Sequence, residues 1–238
     1  MLATKLGLLL LMGASMNAEA GLFGSDSVRW KEEVLLHDGN KIIVERTQVH
    51  DWKMPHEPTT RNAPVSEERL TFSLPGESQK IVWNISFDDN KPEGTSLTLL
   101  MLDVLDGTPY LATSPAGCIA YNKWGRPNPP YVFFKYDGKA WQRIPLEDFP
   151  AELQKTNVMV GDYQANYFTA EERDAPFLTV ESINQSNRDL RRTPFLLAVM
   201  RTQIEAGDAQ FQNSDASCPV PTGPDGKPIQ INIQSGQK

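Results

Sequence analysis

The chain has 238 residues, with 30 acidic against 23 basic side chains and a net charge of −7. That acidic balance, with no Lys/Arg run to reverse it locally, disfavours general binding to nucleic acid. The length fits one domain, or one domain with a small appendage, better than two large ones.

Residues 1–20 read as a secretory signal peptide: Lys5 precedes the apolar run 6–12, and Ala18-Glu19-Ala20 supplies a small-residue exit before Gly21. The run is shorter than the about 20 apolar residues a spanning helix needs. Cleavage near Ala20 is therefore expected, placing a mature chain without an integral membrane segment in the periplasm or outside the cell. No cysteine stands at positions 16–21, so a lipidated N-terminus is not expected.

The chain then repeats one theme: an alternating apolar run, a turn and a returning run. Trp30, Val34 and Leu36 alternate with polar neighbours, Asp38-Gly39-Asn40 reverses the chain, and Ile42, Ile43 and Val44 return. Between 48 and 66 a polar connector bearing prolines holds His50, Asp51, His56 and Glu57. Imidazole and carboxylate can ligate zinc or another divalent ion, making His50, His56 and Glu57 the metal candidates. Their spacing matches no established site, and incidental histidines on an exposed loop are the plainer reading. Residues 70–74 and 81–87 form a second hairpin through Pro75-Gly76. Asp88, Asp89, Asn90 and Glu93 follow it with the oxygen ligands calcium takes, but without the loop pattern of an EF-hand, so they read as an acidic turn. Residues 97–105, the Asp106-Gly107 turn and residues 110–113 make the third hairpin.

Cys118 and Cys218 form an even pair, which in an oxidising compartment makes them a disulfide candidate. So long a tether is worth on the order of 4–5 kcal/mol in the chain-entropy picture. The alternative is two unpaired thiols, with Cys118 a small buried residue.

The segment 120–136 is the most unusual stretch. Tyr121, Asn122, Lys123, Trp124 and Arg126 lead into Pro127, Asn128, Pro129, Pro130 and Tyr131. A proline-stiffened loop with aromatic rings, amides and a guanidinium resembles a recognition surface. Trp124 would stack on a sugar or an apolar side chain and Arg126 would pair with a carboxylate, with little entropy lost. Tyr121, Asn122, Lys123, Trp124, Arg126, Asn128 and Tyr131 are thus the candidate binding residues. In the competing reading Trp124 caps the core and the prolines protect a sheet edge.

Residues 131–136, the Asp137-Gly138 turn and residues 140–144 complete a fourth hairpin. Four hairpins without a fixed repeat period predict a mainly β fold, an antiparallel meander closing into a sandwich or a partly closed barrel. Beyond Pro145, residues 146–153 read as a short turn or helical piece and 158–160 as one more strand. Thr169 with Glu172 matches a capping box, and Thr193-Pro194 starts a helix stopped by Gly207, a strand at 196–199 being the competing assignment. These one or two short helices form an appendage over about 169–207 to a single domain, 21–207. The Pro- and Gly-rich stretch 208–238 predicts a flexible tail with an edge strand at 229–233.

Catalytic signatures are missing. The serine elbow, the His-Glu-x-x-His pair, phosphate-binding glycine loops and the dinucleotide fingerprint are all absent, and no cofactor is expected. Spacing indicates no histidine partner that would make Cys118 a nucleophile. Neighbouring carboxylates such as Glu32 and Glu33 point to opposite faces of an extended chain, although carboxylates distant in sequence can still meet.

The stretches Trp30-Lys31-Glu32-Glu33-Val34-Leu35-Leu36-His37-Asp38-Gly39 and Ala116-Gly117-Cys118-Ile119-Ala120-Tyr121-Asn122-Lys123-Trp124-Gly125-Arg126-Pro127-Asn128-Pro129-Pro130 resemble exported proteins of unknown function from proteobacteria, over roughly residues 22–150. The resemblance implies a bacterial envelope setting and brings no catalytic residue with it. Some such proteins begin at a lipidated cysteine, where this chain has Gly21. The expected function is a non-enzymatic module that binds an envelope protein, a peptide or a glycan. The alternative is a periplasmic hydrolase, with or without a metal, using His50, His56, Glu57 or a carboxylate pair assembled by the fold.

Overall fold

A computed structural model describes residues 25–51, 65–86, 97–127, 129–161, 177–189 and 218. The elements in chain order are β1 (Ser25–Leu35), β2 (Lys41–Asp51), β3 (Val65–Phe72), β4 (Ile81–Ser86), β5 (Leu97–Leu105), β6 (Thr108–Pro115), α1 (Gly117–Lys123), β7 (Val132–Tyr136), β8 (Trp141–Ile144), a 3₁₀ turn (Leu146–Asp148), β9 (Phe177–Leu178) and α2 (Val180–Asp189). They build a sandwich of two sheets, one ordered β4-β3-β2-β1-β9 and the other β5-β6-β7-β8, with no closed barrel.

All four predicted hairpins form, because each turn is encoded locally. At the third, Leu105 faces Thr108 across Asp106 (φ 50°) and Gly107 (φ 73°). Two successive positive φ values are the two-residue turn whose twist matches that of its strands, which Asp-Gly favours. Each sheet is an antiparallel meander, and the parallel pairing of β9 with β1 through Lys31↔Phe177 and Glu32↔Leu178 is the exception.

Period-two alternation decides what each sheet buries. On β1 to β4 the inward set includes Val34, Leu36, Ile42, Val44, Leu70, Phe72, Ile81 and Trp83, which meet Leu99, Leu102, Leu111, Val132 and Phe134 of the second sheet. β5 is apolar almost throughout, and its alternation is reset by a bulge between Leu99 and Met101. Leu97, Leu99 and Leu102 therefore face the first sheet, whereas Leu100 and Met101 turn to the opposite side. There they join Tyr110, Ala112 and Phe133 beneath Phe149, Leu153 and Val160. The second sheet is thus buried on both faces, the first on one.

The covering strap, residues 145–161, corrects one expectation. Residues 158–160 do not form a strand; their backbone groups are satisfied by side chains instead. Asn187 of α2 accepts from the Val160 N–H (3.1 Å) and donates to the Val158 carbonyl (3.0 Å). Asn157 accepts from the Leu102 N–H (3.1 Å) and donates to the carbonyls of Leu102 (2.7 Å) and Leu35 (2.9 Å), joining β5 of the second sheet to β1 of the first. The turn expected within 146–153 is present as the 3₁₀ turn.

Three further expectations shift. Residues 120–123, the start of the segment expected as a loop, are helical in α1 (Gly117–Lys123). The connector is shorter than 48–66, since β2 reaches Asp51 and β3 starts at Val65. α2 begins where the Thr179 hydroxyl accepts the Ser182 N–H (3.2 Å), a start the sequence reading passed over. The capping box at Thr169, the helix from Thr193, the acidic residues 88–93 and the strand at 229–233 lie outside the described residues. Among the described residues no helix is long and apolar enough to cross a membrane.

Candidate functional site

The loop singled out from sequence folds inward. Trp124, 6 % exposed, lies in the inter-sheet core, edge-on to Phe134 with 6.0 Å between ring centroids. The Arg143 guanidinium lies over the Trp124 ring at 5.4 Å and donates to the Trp124 carbonyl (3.2 Å). Tyr121, Asn122 and Tyr131 are buried as well, and burial pushes the Tyr131 phenol above its ordinary range. Arg126, in the left-handed region (φ 53°), stacks over Tyr121 at 5.0 Å and donates to Asn122 Oδ1 (2.6 Å) and to the Cys218 carbonyl (3.0 Å). Lys123 and Arg126 are half-buried, and Asn128 lies outside the described residues. Tyr121, Asn122, Trp124 and Arg126 form a packed corner with Trp124 in the core-capping position, whereas Tyr131 packs beside Phe133 on the other face of the second sheet. Cys118 on α1 is bonded to Cys218, 100 positions later, which ties the C-terminal part of the chain to that corner.

The metal candidates are not assembled by what is described. His50 sits in β2 opposite Asp26 on one side and Val65 on the other, and His56 and Glu57 lie outside the described residues. Among the described residues no group of three or more His, Cys, Asp or Glu side chains is placed to hold an ion. The third histidine, His37, donates from Nδ1 to Asp103 Oδ1 (2.8 Å), and its backbone N–H donates to Asp103 Oδ2 (3.0 Å). The hydrogen bond to Asp103 raises the His37 pKa, against a smaller opposing effect of burial.

Two carboxylates distant in sequence do meet. Glu32 of β1 and Glu68 of β3 flank Arg46 of β2, and all three are buried among Trp30, Gln48 and the strap. Glu68 Oε1 accepts from Nε (3.0 Å) and Nη2 of Arg46, and its Oε2 accepts from Gln48 (3.3 Å). Glu32 accepts from Arg46 Nη1 (3.2 and 3.4 Å) and from the Trp30 indole N–H (2.9 Å), while the Trp30 ring lies 4.8 Å from the guanidinium. The same Nη1 donates to the Met159 carbonyl (2.6 Å), and Gln48 donates to that of Gly161 (3.1 Å). Burial works against the charge on Arg46, but the two carboxylates hold its pKa above the ordinary range. A closed cluster of this kind offers a substrate no access. Its signal in the sequence was polar residues at the core phase of alternating strands: Glu32 in step with Trp30 and Val34, and Arg46 and Gln48 in step with Ile42 and Val44.

The opposite face of the same sheet is open. Along β1 to β3 it presents Arg29, Lys31, Lys41 and Arg69 against Glu33, Glu45 and Glu67, and it dips into a shallow concavity around Thr47 between Arg29 and Arg69. Arg29 pairs with Glu45 (3.6 Å) and Lys41 with Glu33 (3.1 Å), whereas Lys31 and Arg69 have no carboxylate within ion-pair distance among the described residues. The three large hydrophobic residues most exposed among the described ones, Ile43 (48 %), Leu35 (39 %) and Phe177 (39 %), belong to this face. Here the sequence signal was an apolar residue on the solvent phase of a strand.

No protein-family model, no curated protein and no solved structure matches the chain.

Proposed function

We propose that the protein is a non-enzymatic interaction module of the bacterial envelope, and that it engages a protein partner through the open face of its five-stranded sheet. The carrying observation is that this face keeps Leu35, Ile43 and Phe177 in solvent, beside Lys31 and Arg69, which form no ion pair among the described residues. Apolar anchors rimmed by charge, with arginine prominent, are the composition of a protein interface. A glycan fits less well, because stacking on sugars uses aromatic faces and the described part of this surface offers one ring, Phe177, at its edge. The signal-peptide pattern of residues 1–20 and the bonded Cys118–Cys218 pair support export into an oxidising compartment.

The test is crosslinking of tagged full-length protein in the envelope of the cell that makes it, followed by mass spectrometry. Wild type is compared with Ile43→Glu/Arg69→Glu on the open face and Lys123→Ala/Arg126→Ala at the packed corner. A partner lost only with the open-face variant supports the reading. Loss only with the corner variant moves the site to residues 121–131, and identical partners for all three chains overturn it.

A further inference from the structure

The cluster around Arg46 encloses one more carboxylate than guanidinium. Glu32 and Arg46 have no exposed surface and Glu68 is 4 % exposed, so an uncompensated charge here has no water to stabilise it. Among the described residues the elements packed around the cluster add no cation: the strap contributes the Met159 and Gly161 carbonyls, and the buried polar residues of α2 are Ser186 and Asn187. Gln48, on β2, is neutral. The guanidinium is also shared unequally. Glu68 takes two of its nitrogens, Nε and Nη2, whereas Glu32 shares Nη1 with the shorter bond to Met159.

We propose that this cluster is a proton-holding latch in which Glu32 keeps its proton at neutral pH, so that the strap is fastened to the five-stranded sheet through an electrically neutral core. The direction of the Glu32 pKa agrees: burial raises it, outweighing the opposing effects of Arg46 and Trp30, and Glu68 raises it further. Losing this proton leaves one net negative charge beside the Arg46 bond that holds Met159. The inference concerns the face opposite to the proposed interface and stands without it.

The sign of the pH effect follows. A carboxyl whose folded pKa is raised contributes stability that is fully present below its unfolded pKa and is lost as pH rises through the folded value. The experiment is carbon-detected NMR of full-length protein labelled at the glutamate side-chain carboxyl carbons, with the Trp30 indole N–H followed in the same pH titration. Its resonance is assigned through Trp30→Phe. The expected result is one protonated glutamate at neutral pH, its loss in Glu32→Gln, and a Trp30 indole shift that titrates together with it. Complete ionisation of every glutamate at neutral pH overturns the proposal. So does a protonated carboxyl that survives Glu32→Gln, or one whose titration leaves the Trp30 indole unmoved. If Glu32→Gln does not fold, the wild-type spectrum and the Trp30 titration decide the matter.

Discussion

At Trp124 one residue has two possible uses, and burial separates them. An indole that stacks on a ligand must present a face, and here Phe134 and Arg143 occupy the ring's surroundings. Trp124→Ala should therefore cost about 3–5 kcal/mol, the usual loss for emptying a large aromatic site, read as a lowered denaturation midpoint in urea. Arg46→Ala should cost a similar amount, about 3–5 kcal/mol, because it strands the buried Glu68 carboxylate and the hydrogen-bonding groups of Glu32 and Met159. His37 adds a pH-dependent share. Its pKa is raised in the folded protein, so its contribution is present below the ordinary histidine value and lost as pH rises through the raised one. Unfolding free energies measured between about pH 5 and 8 should fall with rising pH in wild type and fall less steeply in His37→Gln, the share of Glu32 remaining.

Elements were legible where their information is local. Asp38-Gly39, Pro75-Gly76, Asp106-Gly107 and Asp137-Gly138 each lie between two strands that pair, and the alternating residues of β1 and β2 show which side is buried. The end of the strap, residues 157–161, and α1 were not legible, for a physical reason. Residues 157–161 take their partners from Arg46, Gln48, Leu102 and Asn187, all distant in sequence, so their own apolar run resembles a strand. The bulge in β5 was hidden as well, since a strand apolar on both faces has no alternation to interrupt. Two element-level outcomes follow. Cys118→Ser/Cys218→Ser should cost on the order of 4–5 kcal/mol if chain entropy dominates, measured as the difference in unfolding free energy from the oxidised protein. Asn157→Ala removes three hydrogen bonds that join the strap to both sheets. Amide exchange at Leu102 should then accelerate, while exchange within the β2–β3 ladder stays near its wild-type rate.

Across the whole molecule, layering explains why one surface stands out. The second sheet lies between the first sheet and the strap residues Phe149, Leu153 and Val160, while Met159 and Gly161 of the strap help cover the hydrophobic and ionic inner face of the first sheet, whose outer face is open. The candidate site was only partly readable in advance. The loop at 121–131 drew notice through its composition, but composition does not say which way a tryptophan turns. Ile43 looked like an ordinary strand residue until the register placed it beside Glu33 and on the solvent side. The most direct test of the interface is photo-crosslinking in the envelope of the producing cell, with a photoreactive amino acid placed singly at Lys31, Ile43 or Arg69 and, as controls, at the exposed Lys139 and Gln142 of the other sheet. The account predicts one protein adduct shared by the three open-face positions and absent from both controls; no adduct at those three, or the same adduct from the controls, would contradict it.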